Sequence, residues 1–114
     1  VKIIALLLTI FLLTMPIAPA ASDPIGGVSG LATGAKVFEI HCAGCHAQGG
    51  NIVRRGKNLK LKALQKNQVD SLEAIATLVT QGKNNMSAYR DRLTSEQIQS
   101  VAEYVLNQAQ IGWR

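Results

Sequence analysis

Cys42, Cys45 and His46 are the residues of this 114-residue chain whose types and spacing carry chemistry. In Cys42-Ala43-Gly44-Cys45-His46, two thiols separated by two residues, with an imidazole directly after the second, share one reachable face at a helix C-terminus. That pattern reads as c-type haem attachment. Each thiol adds to a vinyl group of the porphyrin, and the adjacent ring of His46 is then held over the iron as its proximal ligand. Two other chemistries use the same residue types. In a redox dithiol, a neighbouring histidine would favour the thiolate. Such a pair is expected to open a helix after a strand, and no β-branched run with period-two alternation precedes Cys42. Structural zinc needs four ligands at tetrahedral spacing, and only Cys42, Cys45, His41 and His46 are on offer, crowded together. The spacing therefore favours one covalently bound haem.

A second donor is the next thing to look for. Apart from Met15, the chain has one methionine, Met86, inside the polar segment Lys83-Asn84-Asn85-Met86-Ser87-Ala88-Tyr89. A methionine packed for bulk more often lies on an apolar helical stripe. Its placement among polar residues points instead to a ligand on the second face of the iron. His41 reads as a surface histidine, because its neighbour Cys42 is tied to the porphyrin edge and His46 takes the metal.

The elements that position these residues read as helices. Before the motif, Val37, Phe38, His41 and Cys42 recur at helical spacing, in a helix starting near Leu31 or Ala35. Gly34, four residues before Phe38, would let another helix approach closely. Gln48-Gly49-Gly50-Asn51 and Gly56 mark irregular backbone that can wrap the proximal side of a haem. Leu59, Leu61, Ala63 and Leu64 sit among lysines in a short helical piece. Asp70-Ser71-Leu72-Glu73 has the form of a capping box with Asp70 as the cap. Leu72, Ile75, Ala76 and Val79 follow at i, i+3, i+4 and i+7, an amphipathic helix that Gly82 can end in a left-handed cap. Thr94-Ser95-Glu96-Gln97 opens the last helix with a second capping box. Ile98, Val101, Ala102, Val105, Leu106 and Ala109 form the clearest stripe in the chain. Its expected mate is the first helix, with Tyr104 near Gly34 and Phe38, and Gly112 closes it. No strand signal appears, so the fold class is all-α, three to four helices around one prosthetic group.

The N-terminus has a separate role. Lys2, an apolar run from Ile3 to Met15, and Pro16-Ile17-Ala18-Pro19-Ala20-Ala21 describe a secretory signal peptide, residues 1–21, removed after Ala20 or Ala21. The run is well short of the roughly 20 apolar residues a spanning helix needs, so stable membrane insertion after cleavage is not expected. Export takes both cysteines out of the reducing cytosol before they meet the porphyrin. At the size of residues 22–114 an apolar core alone is marginal, and a buried haem would complete it.

The formal net charge is +5, and its excess is local. Arg54, Arg55, Lys57, Lys60, Lys62 and Lys66 cluster, while no acid occurs between Ala43 and Val69. Nucleic acid is a poor partner for an exported protein. The cluster reads either as a steering surface for an acidic partner or as a solvated face that keeps the protein soluble. Nothing offers a paired-carboxylate site, a serine triad or a phosphate loop, so no enzymatic activity is expected.

Gly34-x-x-x-Phe38-x-x-x-Cys42-x-x-Cys45-His46, then Gly82-Lys83-x-x-Met86-x-Ala88-Tyr89, then Val101-Ala102-x-Tyr104-Val105-x-x-Gln108-Ala109-x-x-x-Trp113 resembles a class I cytochrome c. More narrowly it is similar to the cytochrome c-six family of cyanobacteria and algal plastids. The resemblance covers Leu31 to Trp113 and implies a cytochrome c domain over residues 22–114. It implies a soluble one-electron carrier of the thylakoid lumen or periplasm, between the cytochrome b-six-f complex and photosystem I or a terminal oxidase. Carried over by position, Cys42 and Cys45 hold the porphyrin, His46 and Met86 are the axial ligands, Asn51 matches an asparagine near the haem, and Lys83 lies in the ligand loop. Two positions depart from the family. Leu78 stands where a glutamine close to the haem is common, and Ser87 stands where proline usually follows the methionine. An apolar group at Leu78 removes a polar contact and resembles the divergent, lower-potential relatives. With Ser87 loosening the loop, a haem-based sensor in which an external ligand displaces Met86 is the second reading, and thiol-disulfide exchange through Cys42 and Cys45 the third.

Overall fold

The clearest period in the sequence forms the longest helix. The computed structural model describes residues 28–114, so the proposed leader and its cleavage site lie outside the described residues. Five α-helical segments are present: α1 (Val28–His41), α2 (Ala43–His46), α3 (Leu61–Lys66), α4 (Leu72–Gln81) and α5 (Ser95–Ile111). Short 3-10 turns at Ala47–Gly49 and Arg55–Lys57 shape the segment between α2 and α3. Among the described residues there is no strand, only an isolated bridge between Lys83 and Met86. The all-α expectation holds: α1, α4 and α5 carry 14, 10 and 17 residues, and α2 and α3 are short pieces between them.

α5 begins with the expected capping box. The Thr94 hydroxyl accepts from Gln97 N at 3.1 Å, and the Gln97 side chain accepts from Thr94 N at 2.9 Å. It ends at Gly112, whose φ of 82° and ψ of 28° are left-handed. Ile98, Val101, Ala102, Val105 and Ala109 are buried along its inner face, while Leu106 is half-buried and packs against them. Val37 and Phe38 of α1, Leu64 of α3, Ile75 and Val79 of α4, and Leu93 complete the core. Full burial of one such aliphatic side chain contributes about 1.5–3 kcal/mol. An N-cap contributes about 1 kcal/mol, so packing rather than capping holds the helices together.

α1 and α5 meet at Gly34. A side-chain carbon there would collide with the Ser100 carbonyl and stand 2.8 Å from Tyr104 Cβ. Phe38 lies one turn further along, 5.4 Å from the Tyr104 ring and 5.2 Å from Trp113. α1 starts at Val28, earlier than Leu31 or Ala35, because Gly30 and Gly34 are accommodated inside a packed helix instead of ending it. The α4 cap also differs from expectation. Ser71, not Asp70, precedes the first helical residue in extended conformation, and its hydroxyl accepts from Ala74 N at 3.1 Å. A cap must sit directly before the first turn, and Asp70 is one residue too early. No helix among the described residues is long and apolar enough to cross a membrane.

Candidate haem site

The Cys-x-x-Cys-His motif occupies the end of one helix and one further turn. At Cys42 the chain leaves α1, with φ of −120° and ψ of −35°. Its N–H still donates to Phe38 O at 2.8 Å, and its carbonyl accepts from Cys45 N and His46 N at 3.1 and 2.9 Å. The single turn of α2 thus sets Cys42, Cys45 and His46 at i, i+3 and i+4, neighbours on one face. Both thiols are free; Cys45 is exposed and Cys42 half-buried. Burial pushes the Cys42 thiol up to about 11.

His46 has one ring nitrogen committed and one left over. Its Nδ1 lies 2.8 Å from Gly50 O. A carbonyl only accepts, so Nδ1 carries a proton, and in the neutral ring Nε2 is the nitrogen left for a metal. Gly50 is held in place from the far end of the chain. Gly49, with φ of 73°, lies against the indole of Trp113, where a side chain would collide with the ring. Gly49 O accepts from Leu59 N at 2.8 Å, and Leu59 O accepts from Trp113 Nε1 at 3.0 Å. The C-terminal tryptophan therefore braces the loop that orients His46.

Met86 lies on a loop folded back onto α4. Lys83 N donates to Met86 O and Met86 N to Lys83 O, at 3.0 and 2.9 Å, around a tight turn with Asn84 at φ of 53°. Gly82 makes this return possible. Its φ is 68°, and a side-chain carbon there would stand 2.6 Å from both Ala88 N and Met86 O. Its ψ of 173° is extended, so the expected left-handed cap is a positive-φ exit of a different kind. Tyr89 N then donates to Val79 O at 2.9 Å, fixing the far side of the loop. Met86 itself is half-buried against the core.

Tyr89 joins the two halves of the site. Its hydroxyl donates to His41 O at 2.9 Å, and its ring meets the His41 imidazole edge-on at 6.1 Å. Its phenol is pushed up, first by burial and then by the neighbouring Cys42, with Arg92 opposing and Cys45 adding. Asn51 and Leu78 take different places. Asn51 Oδ1 accepts from Val53 N and Arg54 N at 3.0 and 2.8 Å, and its Nδ2 donates to Lys57 O at 3.0 Å. It shapes the loop beside the motif, where Ile52 N donates to Cys45 O at 3.1 Å. Leu78 is half-buried and lines a cleft of about 430 Å³ with Val69, Ala74, Gly82 and Lys83, at the root of the Met86 loop. His41 is exposed, as expected. Sequence reasoning did not single out the Gly50 carbonyl, the Tyr89 hydroxyl or the Trp113 brace.

The donor set fits a c-type haem. Two unpaired thiols, one free imidazole nitrogen and one thioether suit a group that brings its own ring of nitrogens. Among the described residues no three His, Cys, Asp or Glu side chains form a group able to hold a bare metal ion, and structural zinc needs four such ligands.

Helices that cross at a glycine and hand over directly to a Cys-x-x-Cys-His turn place the chain among class I c-type cytochromes. A family model described as cytochrome c oxidase, cbb3-type, subunit III, matches residues 29–105. A cytochrome c6-like protein of Nostoc sp. strain PCC 7120 is 50% identical over 99% of this chain and 98% of its own. The crystal structure of cytochrome c6C from Synechococcus sp. PCC 7002 is 67% identical and covers 71% of this chain and 99% of its own, with a TM-score of 0.70. Oxidised cytochrome c6A from Arabidopsis thaliana is 36% identical, covering 75% of this chain and 95% of its own, with a TM-score of 0.71. The chain belongs to the cytochrome c6 family. It is an electron carrier with one covalently bound haem c, and the sensor and dithiol readings are not favoured.

Proposed function

We propose that Cys42 and Cys45 are the thioether anchors of the haem, that His46 and Met86 are its axial ligands, and that Asn51 and Leu78 shape its surroundings. With residues 1–21 removed as a leader, the protein works as a soluble carrier in the thylakoid lumen or periplasm. It takes electrons from a cytochrome b6f-type complex and passes them to photosystem I or a terminal oxidase. The observation that carries the ligand assignment is the His46 Nδ1 contact with Gly50 O, 2.8 Å, which leaves Nε2 free beside two unpaired thiols.

A bound haem supplies a one-electron ferric-ferrous couple. His46, oriented through Gly50, and Met86, held by its bridged loop, would hold the iron with two protein donors. With both donors in place oxygen or peroxide would find no ready site, and little in the chain would have to rearrange as charge arrives. Sulfur from Met86 favours the ferrous state relative to a second imidazole. The test is an optically followed redox titration of the mature holoprotein. A single one-electron wave with a sulfur-to-iron charge-transfer band in the ferric state is expected, and a colourless protein with two titratable thiols would overturn the reading.

Leu78 offers no polar atom where the family commonly has glutamine. Leu78→Gln is expected to raise the midpoint by an amount on the order of 50 mV, the worth of one hydrogen bond expressed for a one-electron couple. A midpoint that stays put would count against Leu78 as a tuning position.

The docking surface follows from charge. Arg54, Arg55, Lys57, Lys60, Lys62 and Lys66 are all exposed, and Ile52 and Val53 beside them are exposed apolar residues at 73% and 56%. A cationic rim around a small apolar area suits an acidic partner surface. Transfer to such an acceptor should slow as salt rises from about 0.01 M to about 0.15 M, where the screening length contracts from about 30 Å to about 8 Å. Reversing Arg54, Arg55 and Lys57 to glutamate should flatten that dependence, and a rate indifferent to salt in the parent protein would eliminate the electrostatic part.

A further inference from the structure

Tyr89 lies three residues beyond Met86 and has every polar group engaged. Its N–H donates to Val79 O near the end of α4, and its carbonyl accepts from Arg92 N and Leu93 N, all at 2.9 Å. Its hydroxyl donates to His41 O at 2.9 Å, across 48 residues of sequence. The Arg92 guanidinium lies over the ring, 5.2 Å from its centroid. Tyr89 therefore ties together α4, the Met86 loop, the turn before α5 and the last residue of α1. His41 directly precedes Cys42, and one turn later comes His46. Only Ser87 and Ala88 separate Tyr89 from Met86, a span of no more than about 11 Å. Ring packing alone would hold the core without the hydroxyl, so the bond to His41 has a different consequence. It sets how the segment bearing Met86 stands relative to the segment bearing Cys42, Cys45 and His46.

We propose that Tyr89 is a positioning residue whose hydroxyl latches the Met86 loop to α1 and so governs how firmly Met86 is held as an axial ligand. The proposal rests on Met86 being that ligand. Displacement of Met86 by an outside donor requires the loop to swing away, and an open loop has lost the Tyr89–His41 bond. The bond is present in the closed state and absent from the open one, so it biases the equilibrium toward closure. Removing one such bond should ease opening roughly fivefold.

The test uses the haem-loaded mature protein and imidazole as the competing donor, followed by loss of the sulfur-to-iron charge-transfer band. Tyr89→Phe keeps the ring and removes only the hydroxyl. Without imidazole its band should be intact, and the imidazole concentration for half-displacement should fall roughly fivefold. Thr94→Ala, which weakens the α5 cap but keeps the Tyr89 hydroxyl and its bond to His41, serves as the control for general destabilisation and should leave that concentration unchanged. A Tyr89→Phe midpoint equal to the parent's, or a shift matched by Thr94→Ala, would overturn the latch. Met86→Ala separates the two claims. If it keeps the band, the ligand assignment falls and the latch with it; if it loses the band while Tyr89→Phe matches the parent, only the latch falls.

Discussion

With Met86 as the proposed ligand, Met86→Ala is expected to leave the haem on the chain and to open one face of its iron. With Cys42 and Cys45 as the proposed anchors, attachment should survive, because their turn is set by Cys42 N to Phe38 O and by Cys45 N and His46 N to Cys42 O, bonds that do not involve the Met86 side chain. The intact mass should therefore still include the tetrapyrrole, while the sulfur-to-iron band disappears from the ferric spectrum. Carbon monoxide should bind rapidly after reduction, whereas the parent protein should resist it. The midpoint should fall, because the sulfur that favours the ferrous state is gone. Stability should suffer less than ligation. Met86 is only half-buried against the core, so the loss should lie near the lower end of the usual 2–5 kcal/mol for methionine to alanine. The loop keeps its own ties through Gly82, the Lys83–Met86 bridge and Tyr89 N to Val79 O. A variant that folds, retains its band and refuses carbon monoxide would mean that another side chain ligates the iron.

How much of this was legible depends on the range of the interaction concerned. Periodicity along α5 and the Thr94–Gln97 capping box are local, and both appear as expected. The α4 cap falls at Ser71, one residue after Asp70, because both are good caps and only the position of the first helical turn chooses between them. Spacing alone made Cys42, Cys45 and His46 stand out, since attachment chemistry needs them within one turn. Gly34 was readable as a close approach because a glycine one turn before an aromatic leaves room for a partner. The supports of the site were not. Gly50 acts through a backbone carbonyl, which leaves no mark on the residue type. The Tyr89 hydroxyl reaches His41 across 48 residues and the Trp113 indole reaches Leu59 across 54. Such contacts exist only once the helices have packed. Asn51 was expected near the haem, and its observed partners are the backbone groups of its own loop.

The helix crossing yields a second large effect, whose sign distinguishes packing from propensity. In an exposed helix interior, glycine to alanine is favourable by about 0.8–1.0 kcal/mol. Gly34→Ala should do the opposite. The new methyl group would collide with the Ser100 carbonyl and press on Tyr104 Cβ at 2.8 Å. One obstacle is the Ser100 backbone and the other a Cβ fixed to the backbone, so neither can rotate aside. Overpacking of this kind costs about 3 kcal/mol, the upper end of the usual range. Net destabilisation should be about 2 kcal/mol after the propensity gain, a fall in Tm of roughly 10 °C for a domain of this size. Widening the crossing would also loosen Phe38 from Tyr104 and Trp113, and with Trp113 the brace on Gly49 and Gly50 that orients His46. Gly30→Ala is the matched comparison, one turn earlier on the same helix. There the methyl meets only Glu103 Oε2 at 3.1 Å, the end of a flexible side chain that can move away. Thermal unfolding of the two holoproteins should shift in opposite directions, Gly30→Ala slightly up and Gly34→Ala strongly down. Equal shifts would mean that α1 and α5 do not meet at Gly34.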